Sequence, residues 1–479
     1  MCADWLGAHN GRVKSTALLP TLEVARLSTT PDFASLLHRL QGRRSLLALD
    51  SAAGEPGNWS WIAFDPRQDL APLPSSLAGL RAYLRADAPC RETSLPGPFQ
   101  GGFMGALAYD LGVHGEDQDL PEDPWCLPPI VGGFYTDFFV FDHRAQQAYL
   151  VTSAERSACE RKALLDLAAE CRGPQEVQRA SGINHPLERR VSSVEHCARV
   201  ERARQEIALG EYYQANLAHP FETETNRNPL DIYLDLRRVN PAPYMAYLRF
   251  EEGALLSASP ELLLDVHAGK LLARPIKGTE ARSPDPLEDT RLGKQLLASV
   301  KDRAELAMIV DLMRNDLGRV ARIGSVQVDA FPQLRSYAGV HHLMADVRAD
   351  LARDRDALDA LLAVFPGGSI TGAPKLRSML AIGQLETEGR GYFTGSAGFL
   401  DTQGNACFNI LIRTIQWRPK RAGVEASGCA RFHVGGGITW SSQPQAEDRE
   451  TLIKGARLAQ ALGFKLDTSG ILEPTAMNS

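Results

Sequence analysis

The sequence has no cysteine pattern typical of a metal site or a disulfide framework. Its eight cysteines are scattered and none forms a C-x-x-C pair, so we interpret them as reduced thiols. Positive charge is not in excess either. The formal net charge is -6, and the two signs are mixed along the chain, which argues against a nucleic-acid partner. An anionic small molecule would therefore have to be held by local cations.

Long apolar segments are also missing. No uninterrupted apolar run is long enough to span a bilayer, so we expect no membrane partner. The first twenty residues lack the basic segment followed by an apolar segment that is typical of a secretory signal peptide. These absences predict a cytoplasmic protein.

The composition that remains is that of a large globular protein. The 479 residues are 44% hydrophobic and 23% charged, which allows one to three domains. The stretch 173–190 is polar and contains Gly, Pro and Asn, which predicts a linker between an N-terminal domain over 1–172 and a second domain over 190–468. Short strands and helices mix without regular alternation, which favours an α+β fold built on antiparallel sheets.

Several segments have a clear local pattern. Apolar residues recur at three- and four-residue steps in "DRAELAMIVDLMRNDLGRV", which predicts a helix with Gly318 as its C-cap glycine. The segments "ERKALLDLAAECR" and "AEDRETLIKGARLAQAL" are also predicted to be helical, and a helix is expected to end near Gly210. Strands are predicted in "YMAYLRF", in "NILIRTI", and in "RFHVGGGITW", where the glycines are expected to break the strand.

Two acidic pairs have the same spacing. Asp302 and Glu305 are three residues apart on one predicted helix, and Glu447 and Glu450 are three apart on another. Each pair therefore lies on one helical face. Such carboxylates could bind Mg²⁺, which prefers oxygen ligands, although most pairs with this spacing are simply exposed to solvent.

Other residues allow two interpretations. The run Gly435–Gly437 is either a bend or a place where backbone amides approach an anion. Arg413 either faces solvent or projects into a polar cavity, and His342 alone is more simply a structural histidine. Lys277, between strand-like residues and a glycine, is either a solvated lysine or an amine aimed into a pocket. The segment "FPGGSITGAPK" lacks the spacing of a phosphate-binding loop.

Ten short motifs occur in an order that resembles the chorismate-utilizing enzymes. They are "YYQANL", "SASPE", "PIKGT", "DRAELAMIVDLMRNDLGRV", "VHHLMADV", "FPGGSITGAPK", "GYFTGSAGF", "ILIRTI", "HVGGGIT" and "AEDRETLIK". The resemblance implies the fold of that family, with large antiparallel sheets in a sandwich-like core and flanking helices. "LLALDSA" and "NPAPY" are similar to segments that form an indole pocket in the family.

Lys277 points to one branch of the family. Anthranilate-forming members typically have alanine after Pro-Ile, whereas the C4-aminating members have lysine, as this chain does at residue 277. The resemblance implies amination of chorismate at C4, with Lys277 as the nucleophile and Glu261 as the general acid. An anthranilate-forming enzyme and a catalytically silent binding subunit remain the alternatives.

The resemblance also implies further ligands for the substrate and for a Mg²⁺ cofactor. It assigns Glu305 and Glu450 to the metal, with Asp302 and Glu447 near it or linked through water. The residues that it implies for substrate binding are Arg413, Lys454, Gly435, Gly436, Gly437, Ser369 and His342.

The source of ammonia is not evident within this sequence. None of the cysteines lies in the G-x-C-x-G setting of a glutaminase nucleophile. The resemblance therefore implies a separate glutamine amidotransferase subunit and a heterodimer, with ammonia passed through a tunnel. No lyase segment is recognisable, so the expected product is aminodeoxychorismate, a precursor for folate, and not 4-aminobenzoate.

Overall fold

The computed structural model describes residues 21–52, 59–68, 73–76, 79–81, 95–113, 121–173, 185–337, 339–420, 427–467 and 472–474. Cys2, Cys90 and most of the predicted linker lie outside these ranges. The six cysteines within them are free thiols, which agrees with the absence of a disulfide framework. Among the described residues, no helix is both long and apolar enough to cross a bilayer.

The described residues form nine α-helices, which mostly lie against one of two sheets. They are α1 (Phe33–Arg39), α2 (Ala158–Glu170), α3 (Ser193–Ala208), α4 (Pro229–Val239), α5 (Pro286–Ala298), α6 (Val300–Gly318), α7 (Ala357–Val364), α8 (Lys375–Glu386) and α9 (Pro444–Ala461). Two short 3₁₀ helices cover Tyr109–Val113 and Gly368–Ile370.

The described residues also form 23 strands. The N-terminal strands are β1 (Leu22–Arg26), β2 (Leu47–Asp50), β3 (Trp59–Ala63), β4 (Gly102–Leu107), β5 (Ile130–Tyr135), β6 (Phe138–Asp142) and β7 (Gln147–Ser153). The middle strands are β8 (Glu188–Arg189), β9 (Gln214–Thr225), β10 (Tyr244–Phe250), β11 (Gly253–Ser259), β12 (Leu262–His267), β13 (Lys270–Arg274), β14 (Ile276–Ala281), β15 (Gln327–Ser336) and β16 (Val340–Asp350). The last strands are β17 (Gly372–Ala373), β18 (Ser396–Asp401), β19 (Ala406–Asn409), β20 (Thr414–Pro419), β21 (Gly428–Ile438), β22 (Phe464–Leu466) and β23 (Leu472–Pro474).

Two large antiparallel sheets organise the molecule. The 12-stranded sheet has the order β1-β7-β6-β3-β2-β10-β11-β20-β21-β9-β17, with β8 paired to β9. The 9-stranded sheet has the order β14-β16-β13-β12-β19-β18-β4-β5, with β15 paired to β16. A hydrophobic cluster that includes Trp61, Leu248 and Val140 of the first sheet and Met104 and Phe399 of the second lies between them. The predicted α+β fold with a sandwich-like core is confirmed.

Both predicted domains contribute to both sheets. In the larger sheet β2 pairs with β10, so that Ala246 lies opposite Leu49. In the smaller sheet β4 pairs with β18, so that Gly398 lies opposite Gly105. The division into 1–172 and 190–468 therefore stays a prediction, since backbone pairing alone does not define a folding unit.

Most helices begin at a side-chain cap. Ser299 accepts a hydrogen bond from the Asp302 amide at the start of α6, and Asn228 does the same for Leu230 at the start of α4. In contrast, the residue before α9, Gln443, makes no side-chain cap hydrogen bond. The first turn of α9 therefore depends on contacts with the rest of the protein.

Three local predictions need correction. Gly318 is the last helical residue of α6, and Arg319 is the C-cap, so Gly318 does not act as the predicted cap. The glycines do not break β21, because Gly435–Gly437 pair with Ala218–Asn216 of β9 in an unbroken register. "NILIRTI" is not one strand, since β19 ends at Asn409 in one sheet and β20 begins at Thr414 in the other.

Candidate active site

The predicted site residues come from both sheets and from two helices. Lys277 lies on β14 and Glu261 immediately precedes β12, both in the smaller sheet. The three glycines lie on β21 of the larger sheet. A Cβ atom added to Gly437 would lie 3.3 Å from Lys277 Nζ, so the glycine strand passes directly beside the amine. The fold thus brings together residues that are far apart in sequence.

Lys277 is half-buried and has a neutral hydrogen-bond partner. Its Nζ donates to the carbonyl oxygen of Ser369 at 3.2 Å. Among the described residues, no carboxylate lies within ion-pairing distance of this amine. Burial lowers the pKa of Lys277, and the charge of Lys454 lowers it further, while Glu305 and Glu261 oppose the shift. The amine is therefore neutral more often than a solvated lysine would be.

Glu261 is 3% exposed and lies next to the strand that carries Lys277. Its Oε1 accepts a hydrogen bond from the backbone amide of Ile276 at 3.3 Å. Burial raises the pKa of Glu261 to about 7, although Ser369, Ile276 and Lys277 act in the opposite direction. Ser369 Oγ forms no hydrogen bond to a described residue, so it lowers the pKa of Glu261 as a nearby polar group. Near neutral pH this carboxyl group can either donate or accept a proton.

The helix α6 supplies the first acidic pair, as predicted. Burial raises the pKa of Glu305, whose neighbours include Lys277, Asp302 and Glu450. The Asp302 carboxylate accepts a hydrogen bond from the hydroxyl of Ser299, the residue that caps this helix. Gly278 adopts a positive φ of 77°, and a Cβ there would approach the Asp302 side chain to 3.0 Å. A glycine is therefore required where β14 passes α6.

The helix α9 supplies the second pair. Burial raises the pKa of Glu447, and the charge of Glu450 adds to that effect. Glu450 Oε1 forms a 2.8 Å ion pair with Lys454 Nζ, which holds the pKa of Glu450 below its usual value. Lys454 Nζ also donates to the carbonyl oxygen of Gly435 at 2.8 Å. The two acidic helices therefore face each other across the end of the glycine strand.

These carboxylates fit a hard divalent cation by their chemistry. The charge of Glu450 raises the pKa of both Glu305 and Glu447, which shows that its carboxylate lies close to each of them. The carboxylates supply oxygen ligands, which Mg²⁺ prefers, beside the ammonium groups of Lys454 and Lys301. A cation at this position would relieve the repulsion between them.

Two of the three glycines of β21, Gly435 and Gly437, leave no room for a side chain. A Cβ at Gly437 would lie 2.7 Å from Gln214 Nε2, and a Cβ at Gly435 would lie 2.4 Å from the carbonyl oxygen of Leu217. At Gly436 the nearest groups, Glu447 Oε2 and Lys454 Nζ, would be 3.4 and 3.5 Å away. The backbone of this strand therefore lies directly beside Lys277. The unbroken register excludes a bend at the glycines, and an anion contact by their amides stays a prediction.

Arg413 lies in the crossing between the sheets, with a positive φ of 52°. No carboxylate among the described residues forms an ion pair with it, and burial lowers the pKa of its guanidinium. A half-buried guanidinium without a partner is costly, and a substrate carboxylate would supply the missing charge. Its proximity to His342 is evident because its charge lowers the pKa of that histidine.

His342 is 1% exposed on β16. Its Nδ1 forms a 2.9 Å hydrogen bond with Thr279 Oγ1, whereas its Nε2 has no hydrogen-bond partner. Burial lowers the pKa of His342 to about 3, and Arg413 contributes to that shift. The imidazole is therefore neutral at physiological pH.

Sequence reasoning missed one residue of this pocket, Gln214. It is fully buried on β9, and neither atom of its amide has a hydrogen-bond partner. It lies against Gly437, as the 2.7 Å Cβ approach shows. The available signal was the glutamine at the start of the strand in "YYQANL", a motif that the resemblance had already singled out.

A second group of possible metal ligands lies elsewhere. His196, His219 and Asp448 are buried and hold their ligand atoms within 4.8 Å of one another. However, the guanidinium of Arg189 donates to Asp448 and lies 3.2 Å from His219 Nε2. Because this cation already neutralises the only carboxylate, the group does not fit a metal ion.

The two segments with the predicted indole-pocket motifs are neighbours in the structure. Asp50 lies opposite Met245 in the larger sheet, and Ser51 Oγ donates to the carbonyl oxygen of Pro243 at 3.0 Å. Whether an indole binds there stays a prediction.

Comparison with known proteins identifies the family. The model of the chorismate binding enzyme family matches residues 58–460. Anthranilate synthase component 1 of Streptomyces coelicolor is 37% identical over 405 residues, which is 81% of this chain and 77% of the relative. Aminodeoxychorismate synthase component 1 of Escherichia coli is 37% identical over 366 residues, which is 76% of this chain and 78% of the relative.

Solved structures agree with these matches. The crystal structure of anthranilate synthase component I from Streptococcus pneumoniae TIGR4 superposes with a TM-score of 0.70 at 30% identity. The match covers 84% of this chain and 93% of that one. Fold, motifs and site geometry thus lead to one conclusion: this chain belongs to the chorismate binding enzymes and is a chorismate-utilizing enzyme.

Proposed function

We propose that this enzyme aminates chorismate at C4 to give 4-amino-4-deoxychorismate. The observation that carries the proposal is Lys277, an amine with a lowered pKa and no carboxylate partner among the described residues, beside the buried acid Glu261. Relatives named aminodeoxychorismate synthase component 1 support this assignment, at the same 37% identity as an anthranilate synthase relative. The choice between the two therefore rests on Lys277.

In the first step the neutral Lys277 amine attacks C2 of chorismate. The ring double bonds shift, and the C4 hydroxyl leaves as water after it receives a proton from Glu261. The raised pKa of Glu261, about 7, leaves a substantial protonated fraction near neutral pH. The covalent adduct retains the enolpyruvyl side chain.

In the second step ammonia attacks C4 and the double bonds shift back. The C2–N bond breaks, and Lys277 leaves as an amine. Glu261, now ionised, takes one proton from the ammonium formed at C4. The carboxyl group returns to its protonated state, so that the cycle closes without another reagent.

Two cations and the glycine strand would orient the substrate. Arg413 and Lys454 are proposed to bind the enolpyruvyl carboxylate, since Arg413 has no other anionic partner among the described residues. The backbone of Gly435–Gly437, with Ser369 and His342, is proposed to contact the ring. Ser369 Oγ and His342 Nε2 are buried without hydrogen-bond partners, which favours this role.

Glu305 and Glu450 are the proposed Mg²⁺ ligands, with Asp302 and Glu447 near them. Asp302 already accepts a hydrogen bond from the Ser299 hydroxyl, so it is a weaker candidate for a metal ligand than Glu305. When bound, the ion would neutralise charge on the ring carboxylate and so favour nucleophilic addition to the conjugated ring.

The component 1 names of the relatives imply a partner component. We propose that the partner is a glutamine amidotransferase that supplies ammonia in a heterodimer. A cytoplasmic location and a role in 4-aminobenzoate and folate synthesis are part of the same proposal.

The second candidate function is that of anthranilate synthase component I, which the equally similar relatives favour. Incubation of the protein with chorismate, MgCl₂ and ammonium chloride, followed by mass spectrometry of the product, distinguishes the two. We expect a product that keeps the enolpyruvyl group and is absent with Lys277→Ala. Anthranilate, formed equally by the wild type and the variant, would refute C4 amination.

A further inference from the structure

The turn of α9 that carries Glu447 and Glu450 also carries a third carboxylate, that of Asp448. Asp448 is 5% exposed. It accepts hydrogen bonds from Ser193 Oγ at 2.6 Å and from the guanidinium of Arg189, and it lies 3.0 Å from His196 Nδ1. Arg189 belongs to β8 and the other two to the first turn of α3. The segment 189–196 therefore holds α9 in place through one side chain of the helix, that of Asp448.

A second contact lies one turn further along α9. Thr451 Oγ1 donates to the carbonyl oxygen of Asp448 at 2.7 Å and lies 3.0 Å from His219 Nε2 on β9. The rings of His219 and His196 meet edge to face, with centroids 4.8 Å apart. The helix α9 is thus fixed to the larger sheet at two positions, through Asp448 to Arg189 on β8 and through Thr451 to His219 on β9.

The start of α9 needs such an anchor for two reasons. Its first turn has no side-chain cap at Gln443. Glu450 repels Glu447 and, on the facing helix, Glu305, since its charge raises the pKa of both. Without an opposing attachment, this repulsion would favour rotation or fraying of the turn that carries Glu447 and Glu450.

The geometry of a helix makes Asp448 an effective anchor. Adjacent residues are about 100° apart around the helix axis, so Asp448 points away from the face of Glu447. When the direction of Asp448 is fixed, the direction of Glu447 is fixed too, because the backbone of a helix is rigid over a single turn. Asp448 itself touches neither the glycine strand nor Lys277 in any of its hydrogen bonds.

We propose that Asp448, held by Arg189, Ser193 and His196, is a positioning residue that orients Glu447 and Glu450 towards the pocket before a cation binds. This inference rests on the proposed function, in which those two carboxylates face Mg²⁺. The ion pair between Arg189 and Asp448 lies on the side of α9 away from the pocket. It opposes the repulsion among the carboxylates on the pocket side, so that Glu447 and Glu450 are held in place before the cation binds.

The test compares Asp448→Asn and the milder Ser193→Ala with a matched control, Asp137→Asn. Asp137 is also 5% exposed and pairs with Arg156 at 2.8 Å, but it lies between β5 and β6, outside α9 and the segment that grips it. Titration calorimetry of the full chain with MgCl₂, without chorismate, measures the affinity for the metal. Hydrogen exchange of the amides at 446–451 measures the order of the turn.

We expect Asp448→Asn to weaken Mg²⁺ binding about tenfold and to speed amide exchange at 446–451. Ser193→Ala should weaken binding about threefold, because it removes a single hydrogen bond. The control should lose thermal stability and keep the wild-type affinity for Mg²⁺. Turnover of Asp448→Asn should recover at high MgCl₂, since no group that contacts substrate has been removed.

Wild-type metal affinity in both Asp448→Asn and Ser193→Ala overturns the inference, whatever happens to their thermal stability. Faster exchange without a change in affinity also overturns it, because the anchor would then be purely structural. If the wild-type protein itself binds no Mg²⁺, the metal assignment in the proposed function fails and this inference fails with it. That result appears in the wild type alone and is therefore distinguishable.

Discussion

Lys277 and Lys454 lie close enough for the charge of Lys454 to lower the pKa of Lys277, but their surroundings differ. Lys277 is half-buried, and its Nζ donates to the carbonyl oxygen of Ser369 at 3.2 Å. The Lys454 side chain is 41% exposed and forms a 2.8 Å ion pair with Glu450. Burial lowers the pKa of Lys277 because an ammonium ion loses its hydration there, whereas Lys454 has a carboxylate partner in Glu450. This difference in surroundings is the basis for proposing Lys277 as the nucleophile and Lys454 as a substrate-binding residue.

The largest expected effect comes from removing the amine of Lys277. Lys277→Met keeps most of the side-chain volume and should reduce kcat/KM for C4 amination on the order of 10³-fold, because the covalent step is lost. Lys277→Arg should be equally inactive, since a guanidinium cannot lose its proton to attack a carbon. The measurement is steady-state amination with ammonium chloride as nitrogen donor.

Chorismate binding provides the control for these variants. Calorimetric affinity for chorismate should remain near that of the wild type in Lys277→Met. Turnover by either variant at more than a tenth of the wild-type rate would show that the amine of Lys277 is not the nucleophile that distinguishes it from Lys454.

An intermediate effect is expected from Glu261, through its pKa of about 7. The reactive form has Glu261 protonated and Lys277 neutral, so at a constant concentration of free ammonia kcat/KM should be bell-shaped in pH, with one limb set by Glu261 near pH 7. Glu261→Gln should lower kcat/KM about hundredfold and remove the limb near pH 7. An unchanged limb near pH 7 in this variant would assign that titration to another group.

The smallest expected effect comes from Lys454. Lys454→Gln should raise KM for chorismate about tenfold, the loss of one charge-assisted hydrogen bond, and leave kcat within a factor of about two. Lys465→Gln on β22, an exposed lysine outside the pocket, is the matched control and should leave both constants unchanged. A fall in kcat larger than the rise in KM would mean that Lys454 takes part in the chemistry.

Local patterns predicted the helices well. The apolar spacing in α6 and the run that forms α9 gave both helices and placed each acidic pair on one face, as observed. The strands β10 to β13 also follow their apolar runs. These elements were predictable because the apolar periodicity of a segment determines which local conformation buries it.

The glycine strand and the sheet crossing were not predictable in the same way. Three glycines normally weaken a strand, but pairing with β9 along its whole length stabilises β21. "NILIRTI" has the pattern of one strand, but the chain changes sheets within it, at Arg413. In both cases contacts with distant strands outweigh the local preference.

The sequence by itself determined which chemical groups are available, their order along the chain, and the faces of α6 and α9 on which the acids lie. Only the tertiary structure decided their electrostatic environment. The carbonyl partner of Lys277 is 92 residues away in sequence, and the residues that grip α9 through Asp448 are more than 250 residues away. The pKa of a side chain depends on burial and on nearby charges, and both are set by packing between distant segments.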